Sequence, residues 1–170
     1  MIKVDISGMA DGEYEFDFKI PVNTLDNSFE EFIGNVLVNL SVIRLSHRYT
    51  LIGKAECVAR LICDRTLKEF DEIIKSDFNL VYKADTKLFM ESQESQNNEN
   101  EIIIREDTKY IDISSEVLEH LALNLPMKRI APEFRDKDIL DIYPELNNKH
   151  IEKNTIVDER WSKLKDFKIN

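Results

Sequence analysis

Gly53–Leu67, GKAECVARLICDRTL, is the stretch that decides the fold. In an extended chain, Ala55, Cys57, Ala59, Leu61 and Cys63 fall on one side. Lys54, Glu56, Val58, Arg60 and Ile62 fall on the other, so the segment reads as a long, half-buried strand. Cys63-Asp64-Arg65-Thr66 then makes a tight turn, because an Asp side chain can bond its own backbone and tolerates left-handed conformations. A second strand starts at Leu67 and alternates through Phe70, Ile74, Phe78, Leu80 and Tyr82 to about Lys83. A long antiparallel pair is therefore predicted at the centre of the molecule.

Upstream, Val36, Val38, Leu40 and Val42 open a strand that runs to about Ser46. His47-Arg48 is the predicted turn, although it lacks the Gly or Asn of a tight hairpin, and Tyr49 begins the return. Near the N-terminus, Ile2, Val4 and Ile6 alternate with polar residues, and so do Tyr14, Phe16, Phe18 and Ile20 before Pro21. With Gly8–Gly12 between them, the two segments are expected to pair as a hairpin. Residues 28–34, SFEEFIG, have capping-box spacing between Ser28 and Glu31 and a terminal Gly34, which predicts a short helix.

Downstream, residues 91–101, ESQESQNNENE, hold no apolar side chain and are expected to form a mobile acidic loop. Ile102–Ile104 give a short strand, with another at Tyr110-Ile111. Ser114 is placed as the cap of the main helix, with Glu116 in its first turn, Val117, Leu118, Leu121 and Leu125 on one face, and Pro126 at its end. Residues 127–157 are polar and irregular, with Pro132 and Pro144. The expected class is α+β: a mainly antiparallel sheet, strongly bent or partly barrel-like because strands beyond about ten residues curl, with one main covering helix and short C-terminal helical segments. One domain is expected over 1–170, with its core in about 1–126 and an irregular segment over 127–170.

At 170 residues and 42% hydrophobic, the chain can bury an ordinary core. No apolar run approaches a membrane span, and the N-terminus lacks the apolar stretch of a signal peptide, so a soluble, cytoplasmic protein is expected. Cys57 and Cys63 lie six residues apart on one strand, about 20 Å, far beyond the roughly 7 Å that a disulfide permits. Both are expected as reduced thiols acting as small hydrophobes.

No enzyme motif is present: no Gly-rich phosphate loop, no Gly-x-Ser-x-Gly and no His-Glu-x-x-His. His47, His120 and His150 fall in a turn, a helix and an irregular tail, which builds no shared site. Neither catalysis, nor a cofactor, nor a small-molecule substrate is expected.

The net charge of −10 is unevenly spread. Residues 35–68 hold Arg44, Arg48, Lys54, Arg60, Arg65 and Lys68 against Glu56 and Asp64, a local +4, which leaves −14 for the remainder.

Gly53, Cys63-Asp64-Arg65-Thr66-Leu67, Phe70, Phe78 and Tyr82 resemble the central signature of the YceD-type family of bacteria and plastids, Cys-x-Arg-Cys-Leu followed by spaced aromatics. Thr66 stands where that signature has its second cysteine. Ile111-Asp112-Ile113 through Leu121–Pro126 resembles the family's second block, an Ile-Asp-Leu strand leading to a Leu-x-Leu-Pro helix end. Asp158-Glu159-Arg160-Trp161-Ser162-Lys163-Leu164 resembles its Asp-Pro-Arg-Trp-x-x-Leu ending, with Glu159 for Pro. The resemblance implies a role in accumulation of the large-subunit ribosomal RNA, without enzymatic activity. Many members carry later cysteines able to hold a metal. Here these are missing, Thr66 is a poor zinc ligand, and no metal is expected, since structural zinc takes four ligands.

Two modes of action remain open. Arg44, His47, Arg48, Lys54, Arg60, Arg65 and Lys68 could gather on neighbouring strands and hold ribosomal RNA, unless they are solvated positions paired with the excess carboxylates. Alternatively, the acidic remainder could escort a basic ribosomal protein or assembly factor, with Trp161 beside Leu164 and Phe167 as an anchor or as a seal on the core.

Overall fold

The computed structural model describes residues 1–92 and 101–146. Met1–Arg129 and Ile130–Asn170 form separate compact units. The acidic segment 93–100, His150 and the tail with Arg160 and Trp161 lie outside the described residues.

The first unit is built on three very long strands: β3 (Phe32–Leu45), β4 (Arg48–Ile62) and β5 (Glu69–Ala84). They follow one another as an antiparallel meander, with β4 in the middle. β2 (Gly12–Pro21) joins the free side of β3, and β6 (Ile102–Ile104) lies parallel to the last residues of β5. The order β2-β3-β4-β5-β6 is an open sheet with an edge strand on each side. The expected antiparallel α+β architecture is present, and closure into a barrel is not.

The period-two pattern sets the two faces. Val36, Val38, Leu40 and Val42 on β3 are buried, as are Leu51, Ala55, Cys57, Ala59 and Leu61 on β4 and Ile74, Phe78 and Tyr82 on β5. This inner face is covered by α2 (Ser114–Leu123), which buries Val117, Leu118 and Leu121 against β4 and β5. The outer face carries Lys54, Arg60 and the other alternate residues of β4.

Four expectations are corrected. The N-terminal segment does not form a hairpin with β2: β1 (Lys3–Asp5) pairs with β7 (Tyr110–Asp112) in a separate two-stranded sheet. Ile2 N–H is bound by Ser114 Oγ at 2.6 Å, and Ile113 N–H donates to Ile2 C=O at 3.0 Å. Alternation marks a half-buried strand but carries no address for its partner, and the buried Ile111 and Ile113 offer a better one than β2 does.

Residues 28–34 are a turn running into β3, not a helix. Asn27 and Gly34 take left-handed backbone, Phe32 and Ile33 already pair with Ala59 and Val58, and a bulge separates Ile33 from Leu37. The hairpin turn between β3 and β4 is Ser46-His47 rather than His47-Arg48. Ser46 has φ 56°, and its N–H is held by Asp11 Oδ1 at 2.9 Å. Ser114 is the first residue of α2 and not its cap. Its hydroxyl donates to Asp112 and accepts from Ile2, which ties both small strands to the start of the helix.

α1 (Thr86–Ser92) lacks a periodic signal in the sequence and is nucleated by Asp85, which accepts Leu88 N–H at 3.1 Å. In the second unit, α3 (Ile139–Ile142) is started by a capping box between Asp138 and Asp141 and is flanked by single 3-10 turns at 132–134 and 144–146.

Candidate functional site

The signature strand and turn occupy the middle of the sheet. Gly53 sits on the inner face opposite Phe78, and a Cβ there would come within 2.3 Å of the Phe78 ring tip. The glycine is thus explained by close aromatic packing on a central strand. The ring also lies 6.0 Å from the His120 imidazole of α2.

The turn closes with Leu67 N–H on Cys63 C=O at 2.8 Å and Cys63 N–H on Lys68 C=O at 2.9 Å, so β5 starts at Glu69 and not at Leu67. The left-handed residue is Leu67, φ 57°, with 80% of its surface exposed. Asp64 instead binds a distant part of the chain. Its N–H donates to Arg129 C=O, and its Oδ2 accepts Arg129 N–H, both at 2.7 Å. Arg129 in turn reaches Glu31 at 3.3 Å, and Glu31 C=O accepts Arg60 N–H at 2.7 Å. This network pins the turn to the chain leaving α2, beyond Pro126. Cys57 and Cys63 are both buried, and burial pushes the Cys57 thiol up. Thr66 Oγ1 is buried without a hydrogen-bond partner among the described residues.

The seven basic-island residues do not share one surface. Arg48, Lys54 and Arg60 lie along the outer face of β4, six residues or about 20 Å apart at each step. Arg44 is on the inner-face side of β3, over the ring of Tyr49 at 5.4 Å and 3.8 Å from Asp11. His47 is in the β3–β4 turn. Arg65 and Lys68 belong to the turn at the far end of β4.

The cations are also met by acids. Arg48 pairs with Glu101, and Arg60 grips Asp71 with bonds of 2.9 and 3.1 Å. Lys54 faces Asp77 across the ladder. What the fold does bring together is a notch of about 400 Å³ lined by His47, Arg48, Lys83 and Glu101. Lys83 joins it because β5 pairs Lys83 with Arg48, which only the register reveals.

The carboxylates of β2 are differently placed. Glu13, Glu15 and Asp17 project from the outer face of this edge strand and form no ion pair among the described residues. Asp17 accepts from the Asn39 amide at 2.6 Å, and Glu13 from the Ser41 hydroxyl at 2.9 Å. On the other face of β2, Tyr14, Phe16, Phe18 and Ile20 are half-buried, with Phe16 and Phe18 stacked 6.3 Å apart.

A groove of about 740 Å³ runs across the sheet from Phe16 over Leu40 and Gly53 to Phe78 and His120. It exists because Gly53 contributes no side chain and α2 covers β4 and β5 but not β2. Neither Phe16 nor His120 carries a site motif in the sequence. The alternation of aromatics with acids in β2 was the available signal.

Among the described residues, no three His, Cys, Asp or Glu side chains gather as metal ligands, and no helix is long and apolar enough to cross a membrane.

A family model described as "Large ribosomal RNA subunit accumulation protein YceD" matches residues 51–168. No curated protein and no solved structure matches the chain. The match takes in β4 from Leu51 onward, the signature turn, β5 and α2, and begins after β1, β2 and β3. With more than half of its length matched, the chain belongs to the YceD family of large ribosomal RNA subunit accumulation proteins.

Proposed function

We propose that this chain is a non-catalytic cytoplasmic factor in biogenesis of the large ribosomal subunit, acting by binding a basic ribosomal protein or assembly factor. Family membership supplies the process. The observation that carries the mode of action is the disposition of charge. Arg44, Arg48 and Arg60 each have a carboxylate partner, whereas Glu13, Glu15 and Asp17 have no cationic one among the described residues. Unmatched anionic charge on an otherwise acidic chain raises the local concentration of a cationic partner and speeds its encounter.

A second reading, direct contact with ribosomal RNA, draws support from Arg48, Lys54 and Arg60 sharing the outer face of β4. It requires their existing pairs to be exchanged for phosphates, and its affinity would then fall steeply with salt.

Retention of large-subunit components on the immobilised full chain, with and without ribonuclease, separates the two. Basic ribosomal proteins held after ribonuclease support protein binding. Their loss, with ribosomal RNA held at low salt, supports RNA contact instead.

A further inference from the structure

We propose that the free edge of β2 receives an extended basic segment of the partner as an added strand, its apolar side chains alternating with lysine or arginine. This rests on the protein-binding reading above and gives it a place.

β2 is ten residues long and, among the described residues, pairs only with β3. In an antiparallel edge strand every second residue turns its N–H and C=O away from the sheet, and no backbone bond joins residues 13–20 to any described residue there. Such a row is a template for strand addition, in which main-chain bonds give affinity and alternate side chains give selectivity.

The two faces of β2 state what the incoming strand must look like. On the outer side it would run beside Glu13, Glu15 and Asp17, of which Ser41 bonds Glu13 and Asn39 bonds Asp17. Lys19 follows on the same face, and these three carboxylates form no ion pair among the described residues. Cross-strand neighbours of opposite sign stabilise a sheet, and like charges destabilise it. On the inner side it would run beside Tyr14, Phe16 and Phe18, where the groove ending at Phe16 admits apolar side chains.

A second copy of this chain is the wrong occupant. In antiparallel self-pairing centred on Phe16, Lys19 would match Glu13 but Glu15 would face Asp17 of the other copy, whereas a basic strand matches all three carboxylates. The opposite margin of the sheet is also unpaired below β6 among the described residues, but there Asp71 is matched by Arg60 and Lys75 by Glu56. β2 lies outside residues 51–168, so the edge is a property of this chain and is not supplied by the family match.

Three probes test it on the full chain: a ten-residue peptide alternating lysine and valine, the same peptide N-methylated at every second residue, and one alternating glutamate and valine. NMR with the first should move the β2 backbone amides and slow hydrogen exchange of those that face outward. N-methylation in the edge-facing phase should weaken binding at least tenfold, and the glutamate peptide should not bind.

The variant Glu13→Lys/Glu15→Lys/Asp17→Lys, with its fold checked by circular dichroism, should lose the lysine peptide at least tenfold. Shifts spread away from β2, or equal affinity for the N-methylated peptide, overturn the strand addition. If that variant still retains basic ribosomal proteins after ribonuclease, the edge is wrong and the protein-binding reading stands. If the wild-type chain retains none, both fall.

Discussion

Gly53 is where a single hydrogen separates a packed centre from an overfilled one. The Phe78 ring occupies the space a side chain would take, and it is buried between β4 and α2, so it cannot swing aside without cost. Gly53→Ala should therefore destabilise the protein by about 1–3 kcal/mol, in the range of core overpacking. Shortening the ring in Gly53→Ala/Phe78→Leu should recover part of that loss. Urea midpoints of the two variants check it, and an unchanged midpoint for Gly53→Ala contradicts it.

On the outer face the residue-scale chemistry is electrostatic. The Arg60 guanidinium holds the Asp71 carboxyl below its ordinary value, first by hydrogen bonding and then by charge. A depressed acid pKa stabilises the fold above the ordinary carboxylate range, and that contribution is lost as pH falls through the depressed value. Arg60→Gln should return Asp71 to its ordinary titration, read by NMR of the carboxyl carbon. An unmoved titration means that the pair is not formed in solution.

At the scale of elements, α2 and β5 are joined by Tyr82, whose hydroxyl donates to Glu116 Oε1 at 3.3 Å. Burial, followed by the Glu116 charge, pushes the phenol well above its ordinary value, so the folded state holds this proton more tightly than the unfolded chain does. The associated stability is complete below about pH 10 and is lost as pH rises beyond it. Tyr82→Phe should cost about 0.5–1 kcal/mol near neutrality through the lost hydrogen bond, and it should flatten the decline in stability above pH 10. Thermal melts between pH 8 and 11 read both effects; parallel declines in variant and wild type contradict the second.

The elements were legible where a local rule decides them. The inward set Ala55, Cys57, Ala59, Leu61 and Cys63 could be read from alternation, the short strands at Ile102–Ile104 and Tyr110-Ile111 from their apolar runs, and the buried stripe of α2 from helical spacing. What could not be read was decided across the chain. β1 alternates as a hairpin strand should, yet its partner lies more than a hundred residues away at β7. Ser28 and Glu31 mimic a capping box, but Glu31 is engaged by Arg129 and Arg60, and the strand register with Ala59 wins. The basic island is divided between strand faces for the same reason. Arg44 and Arg48 flank one turn, but the parity of β3 turns Arg44 inward while that of β4 turns Arg48 outward, and neither parity comes from the count of charges.

For the whole molecule, charge is the property that joins fold to process. In a chain at −10, Arg44, Arg48 and Arg60 are matched by carboxylates, whereas Glu13, Glu15 and Asp17 on β2 form no ion pair among the described residues. On the proposed reading, the partner of this surface is a strongly basic protein, and it is the proposed occupant of the β2 edge. Photo-crosslinking from positions 15 and 54 of the full chain in cells, with both attached protein and attached RNA identified, decides between protein and RNA as the bound partner. A basic large-subunit protein attached at position 15, and no ribosomal RNA at position 54, is the expected result. Ribosomal RNA recovered from position 54, with no protein at position 15, would contradict it.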